Sequence, residues 1–195
     1  QIVINSVQGE FYVIDHGGTF LAGDPAQSIA RAASAAGDFL YRFGDPARYQ
    51  QGDPPSVLED WTASTTGHKQ IGGVHHVTWI PPGLPGAGHL LLFDNAQNLF
   101  EHAQGSYVLE IGAFVDETGA DSGHYVNPPD AGYVTRVAGT PTAGLEPRLV
   151  SKQVVWSYSP KASHSMFSHI GGSAQRLPNG NTLVCADTEG HFVEV

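Results

Sequence analysis

Ten histidines stand in a chain with one cysteine and one methionine, so imidazole is the side chain through which this sequence would do chemistry. It exchanges a proton near neutral pH and its free nitrogen is nucleophilic, which suits acid/base or covalent catalysis. Two histidines are adjacent, His75 and His76, just ahead of Trp79-Ile80-Pro81. The stretch from Val74 to Asn95, VHHVTWIPPGLPGAGHLLLFDN, reads as strand, tight turn, strand, with imidazoles at its entrance. His169, in MFSHIGGSAQRL, lies just upstream of a later hairpin, at the corresponding level of the next unit, where His164 competes with it. His75, His76 and His89 together suggest a metal site, but no HExxH-like helical spacing or Cys/His cluster accompanies them. No metal and no cofactor is therefore expected.

The elements that must hold these residues are short strands. The chain has 195 residues, enough for one domain with a substantial core, and 1–195 reads as a single domain. Only 14% of residues are charged, while 24 glycines and 13 prolines supply turns, a balance that favours β structure over helical bundles. A hairpin-like figure recurs: Gln1 to Ser6 with Glu10 to Ile14, Leu90 to Asp94 with Ser106 to Ile111, and Thr182 to Ala186 with His191 to Val195. Phe39 to Gly44 and Val154 to Ser159 read as outer strands of the same units. Between the units stand insertions. Asp24-Pro25 followed by AQSIARAASAA signals a short helix, with Asp as N-cap and Pro in the first turn. The stretches from Gln50 to Gly73 and from Asp116 to Pro147 read as loops. Repeated strand units of this kind predict an all-β fold, a solenoid or β-propeller section.

Composition also excludes partners. The formal charge is −10, from 19 acidic against 9 basic residues, and no basic patch exists to hold nucleic acid. No apolar run reaches membrane-spanning length. Cys185 stands alone, so neither a disulfide nor a thiolate cluster is expected. Trp61, Trp79 and Trp156 read as packing residues, Arg42 as the partner of a neighbouring strand or of Asp45, and Arg176 with Asn179 to Asn181 as turn residues. Asp94 and Asn95 close a strand, where side chains commonly satisfy loop backbone.

Three ordered segments, GDFLYRFGDPARY (Gly37 to Tyr49), HHVTWIPPGLPGAGHLLLFDN (His75 to Asn95) and AQRLPNGNTLVC (Ala174 to Cys185), together with FYVIDH (Phe11 to His16) and the terminal GHFVEV, resemble the bacterial arylsulfotransferase family. The resemblance implies a six-bladed β-propeller, of which about two and a half blades are present here, with sequence missing before Gln1 and after Val195. It implies a periplasmic or secreted enzyme that moves a sulfuryl group from an aryl sulfate ester to a phenol through a sulfated histidine. No nucleotide sulfate donor takes part, and the partners are small molecules.

Sulfuryl transfer needs an in-line nucleophile, donors for the non-bridging oxygens and a group to handle the phenolic proton. On the resemblance, His75 matches the family histidine that an Asp normally follows, and His76 replaces that Asp. His169 matches the sulfated histidine by position. Tyr107 stands where an Arg or Ser that holds sulfate oxygens is expected, and a phenol brings a hydrogen bond but no charge. Asn95 completes the expected substrate-binding set. The changes at His76 and Tyr107 favour an alternative, a non-catalytic propeller kept as a binding or scaffold module. A metal-dependent propeller hydrolase or lactonase is a further alternative.

Overall fold

A computed structural model describes residues 1–6, 9–17, 21–45, 70–95, 106–128, 133–136, 148–159 and 166–195. The described residues form three antiparallel sheets in series and one two-stranded ribbon. The first sheet holds β1 (Ile2–Ser6), β2 (Glu10–Ile14) and β3 (Phe39–Phe43) in that order. Between β2 and β3 lies α1 (Pro25–Ala32), where Asp24 Oδ1 accepts from the Gln27 amide at 2.9 Å, the expected N-cap. No residue of α1 is buried and Ile29 is 72% exposed. The helix therefore decorates the sheet rather than building the core.

The central sheet runs β4 (Val74–Trp79), β5 (Leu90–Asp94), β6 (Tyr107–Ile111) and β9 (Val154–Tyr158). The expected loop between β6 and β9 contains a hairpin instead: β7 (Tyr133–Arg136) pairs with β8 (Arg148–Ser151). These strands are four residues long, too short for periodicity to separate from the turn residues around them. The third sheet runs β10 (Ser173–Arg176), β11 (Thr182–Ala186) and β12 (His191–Glu194). The expected insertion at Gln50 to Gly73 is described only from Gln70 onward, and Trp61 and His164 lie outside the described residues.

The central sheet is a filled layer between the other two. All five residues of β5 are buried, and alternate ones serve different cores. Leu90 and Leu92 join Phe11, Val13, Phe43, Leu109 and Ile111 against the first sheet. Leu91 and Phe93 join Val108, Ala174, Val184 and Ala186 against the third. Because strand side chains alternate with a period of two, a one-residue slip in β5 would exchange the two cores. The first strands also meet across the sheet boundaries: β1 lies along β4, where Asn5 Nδ2 donates to the Val74 carbonyl at 3.0 Å, and β10 lies along β4 and β5.

Charge enters this apolar stack at one point on the third-sheet side. Glu110 of β6 is only 6% exposed, and its carboxylate accepts from Arg176 Nη2 at 2.5 Å and faces His89 Nδ1 at 2.6 Å. Trp156 is the register partner of Glu110 on β9, and the Arg176 guanidinium lies 5.4 Å from its ring centroid. Gly86 closes the arrangement. At φ +80° it sits where an added Cβ would come within 2.4 Å of Glu110 Oε1, so both its backbone and the close approach require glycine. Arg176 Nη1 also donates to the Gly180 carbonyl at 3.2 Å, which binds the RLPNG turn to the same cluster. The first sheet repeats the theme within itself, with Arg42 at 2.8 Å from buried Glu10 and over the Tyr12 and Phe39 rings. Arg42 thus pairs across to β2, one of its two expected partners.

Removing one partner of a buried pair leaves an uncompensated charge, which is costlier than removing the pair. Arg176→Met, which keeps packing on Trp156 but leaves Glu110 with His89 alone, is expected to lower the unfolding free energy by roughly 3 kcal/mol. Glu110→Leu combined with Arg176→Met is expected to recover most of that loss. Denaturant midpoints measure both, and a single-variant loss below about 1 kcal/mol would place this pair among the weak surface ones.

Candidate functional site

The position of His75 is decided by its neighbour. β4 pairs with β5 in register at Val74 with Asp94 and His75 with Phe93, then shifts before Thr78 pairs with Leu91. The extra residue is His76, exposed and at φ +51°, a left-handed conformation that only a few per cent of non-glycine residues adopt. By absorbing one position, His76 returns Val77 and Trp79 to the first-sheet core while His75 stays on the opposite face. Paired residues share a face, so His75 lies beside Phe93 on the side that meets the third sheet. The adjacent histidines therefore have separate roles: His76 shapes the strand and His75 is aimed by it.

His169 approaches the same end of the sheet from the other side. It belongs to the segment 166–172 that leads into β10, and its side chain is exposed. That segment is fastened to the ends of β5 and β6. Asn95 Nδ2 donates to the carbonyls of Ser168 at 2.6 Å and Gly171 at 2.8 Å. The Ser168 amide donates to Ser106 Oγ at 2.9 Å, and the His169 amide donates to Thr188 Oγ1 at 3.1 Å. Gly172, at φ +121°, lies so close to Phe93 that an added Cβ would stand 2.4 Å from the ring. Phe93 is thus flanked by His75 through strand pairing and by the histidine-bearing segment through Gly172.

The other expected site residues fall elsewhere. Tyr107 is 3% exposed and belongs to the core against the first sheet, on the face opposite His75. Its partner Asp94 explains why: paired residues share a face, and Asp94 turns inward to accept the Gly72 amide at 2.9 Å. Asn95 is 2% exposed, and its amide is committed to the Ser168 and Gly171 carbonyls. It positions the His169 segment rather than offering that amide to a substrate. Among the described residues, no group of three or more His, Cys, Asp or Glu is placed to hold a metal ion, and no helix is long and apolar enough to cross a membrane. No protein-family model, curated protein or solved structure matches the chain.

Sequence reading did not pick out Ser106 and Ser168, which secure the His169 segment. The only signal for them is that serines flank strand ends, where hydroxyls commonly satisfy loop backbone. Asn95→Ala removes two donors from buried carbonyls and is expected to cost about 2–3 kcal/mol. Hydrogen exchange of the amides at 168–172 should rise at least about tenfold, while amides of β1 to β3 that exchange by local opening stay unchanged. Unaltered exchange at 168–172 would mean that Asn95 does not hold the segment.

Proposed function

We propose that the chain is a section of a β-propeller enzyme of arylsulfotransferase type, exported to the periplasm or beyond, that passes a sulfuryl group from an aryl sulfate ester to a phenol through a sulfated histidine. One observation carries this reading: His75 and the anchored His169 segment flank Phe93 on one face, at one end of the central sheet. The propeller is supported by three meander sheets in series whose first strands are neighbours in turn, β1 beside β4 and β4 beside β10, as strands around a common axis would be.

In this reading a neutral His169 nitrogen attacks sulfur; the S–N bond forms, the S–O bond to the aryl group breaks, and the departing phenolate takes a proton from His75. The acceptor phenol then returns a proton to His75, its oxygen attacks sulfur, and S–N cleavage regenerates His169. Tyr107, on the other face, takes no part.

A second reading, a non-catalytic binding or scaffold module, draws on a specific observation. Arg176, His89 and Asn95, which stand in the recognisable segments, are engaged in holding sheets and loops together. Incubation with an aryl sulfate and a phenol acceptor, with and without chelator, separates these readings. Chelator-insensitive transfer with ping-pong kinetics is expected, reduced at least about a thousandfold by His169→Gln and about a hundredfold or more by His75→Gln. Absence of transfer by the folded protein would favour the binding module, and chelator-sensitive turnover would favour metal-dependent hydrolysis.

A further inference from the structure

At the end of the central sheet away from His75, β4 finishes, β5 begins and β6 finishes around a pocket of about 360 Å³. Trp79, Phe114, Tyr125, His89, Asp121 and Gln1 are among the residues that line it. The aromatic walls are fixed. Phe114 and Tyr125 meet edge to face at 80° with centroids 4.8 Å apart, and Tyr125 stacks on Tyr41 at 5.6 Å. Behind them the fully buried amide of Gln153 donates to the carbonyls of Ala113, Val115 and Val126 and accepts from the Tyr41 hydroxyl at 2.6 Å. The segment that carries Phe114 and Tyr125 is therefore pre-formed, which lowers the cost of binding.

The polar side chains on the wall include a carboxylate and an imidazole. His89 Nδ1 faces Glu110 Oε1 at 2.6 Å, and its Nε2 lies beside Gly112 on the pocket wall. Burial pushes the Tyr125 phenol above its ordinary range, opposed by its hydrogen bond to Gln1 Oε1 at 2.8 Å, so it stays an uncharged donor already in use. Asp121 supplies a carboxylate, and among the described residues neither Lys nor Arg lines the pocket. Aromatic rings and a carboxylate both favour positive charge.

We propose that this pocket binds a small organic cation, an alkyl- or methylammonium whose carbon groups lie on Trp79, Phe114 and Tyr125 and whose charge faces Asp121. The volume suits a ligand of that size. The site is separate from the histidines at the other end of the sheet, so it stands or falls independently of sulfuryl transfer.

Calorimetric titration of the protein with tetramethylammonium, choline and benzyltrimethylammonium, beside the uncharged tert-butyl isostere of choline, tests it. Saturable binding of at least one ammonium probe is expected in the millimolar range or tighter, with the isostere at least about tenfold weaker than choline. Asp121→Asn keeps the hydrogen bond that Asp121 Oδ1 accepts from the Gly123 amide at 2.8 Å. It is expected to weaken ammonium binding several-fold without moving the unfolding midpoint, while Phe114→Leu weakens it through the lost ring face. Equal binding of choline and its isostere, an Asp121→Asn protein that binds as tightly as the parent, or no saturation by any ammonium probe would each overturn the proposal.

Discussion

The buried carboxylate of Glu110 is the interaction on which the packing of the second and third sheets turns. An ionised carboxylate inside an apolar stack is tolerated only when paired and hydrogen-bonded, and every partner of Glu110 comes from a different part of the chain. Arg176 reaches it from β10, His89 from the turn before β5, and Gly86 makes room for it. Trp156, beside Glu110 on β9, lies under the guanidinium. Each partner fixes the relative placement of two elements, so the cluster selects one register and one stacking where apolar contacts alone would tolerate several. This is how a charge that adds little net stability can still specify structure.

The cluster also gives a physical account of why two segments of the sequence are so distinctive. The glycines of PPGLPGAGH and the turn of RLPNGN are brought together around one carboxylate 66 residues from Arg176 in sequence. The wording of those segments reflects a packing requirement at one end of the central sheet. The residues suited to acid/base or nucleophilic work, His75 and His169, lie at the other end. A shared packing unit and a separate reactive end are compatible with either transfer chemistry or a module that has kept only the fold.

Much of the scaffold was legible in the residues. Apolar runs bounded by Gly, Pro and Asn marked the strands of the three sheets except β10, whose sequence SAQR has no apolar pattern, and Asp24-Pro25 marked the helix, because these signals act within a few residues. The faces of the strands were less legible. Tyr107 reads as a substitute for a sulfate clamp, but its strand turns it into the opposite core. The resemblance gives His75 and His76 different roles, but the bulge and left-handed backbone at His76 that aim His75 carry no mark in the sequence. Asn95 reads as a strand-end side chain that satisfies loop backbone, and it does so, but nothing local marks its partners as carbonyls more than seventy residues away. Such assignments depend on register and long-range hydrogen bonds, which short-range pattern does not encode.

The central functional claim is that two histidines at one end of this sheet act on one sulfuryl group, with His169 as its carrier. Peptide mass spectrometry of the protein quenched during turnover of an aryl sulfate, without acceptor, addresses it most directly. The account predicts one added SO3 on the imidazole of His169, absent in His169→Gln and discharged when a phenol is supplied. A protein that turns over the ester with the SO3 group on another residue, or on none, would contradict it.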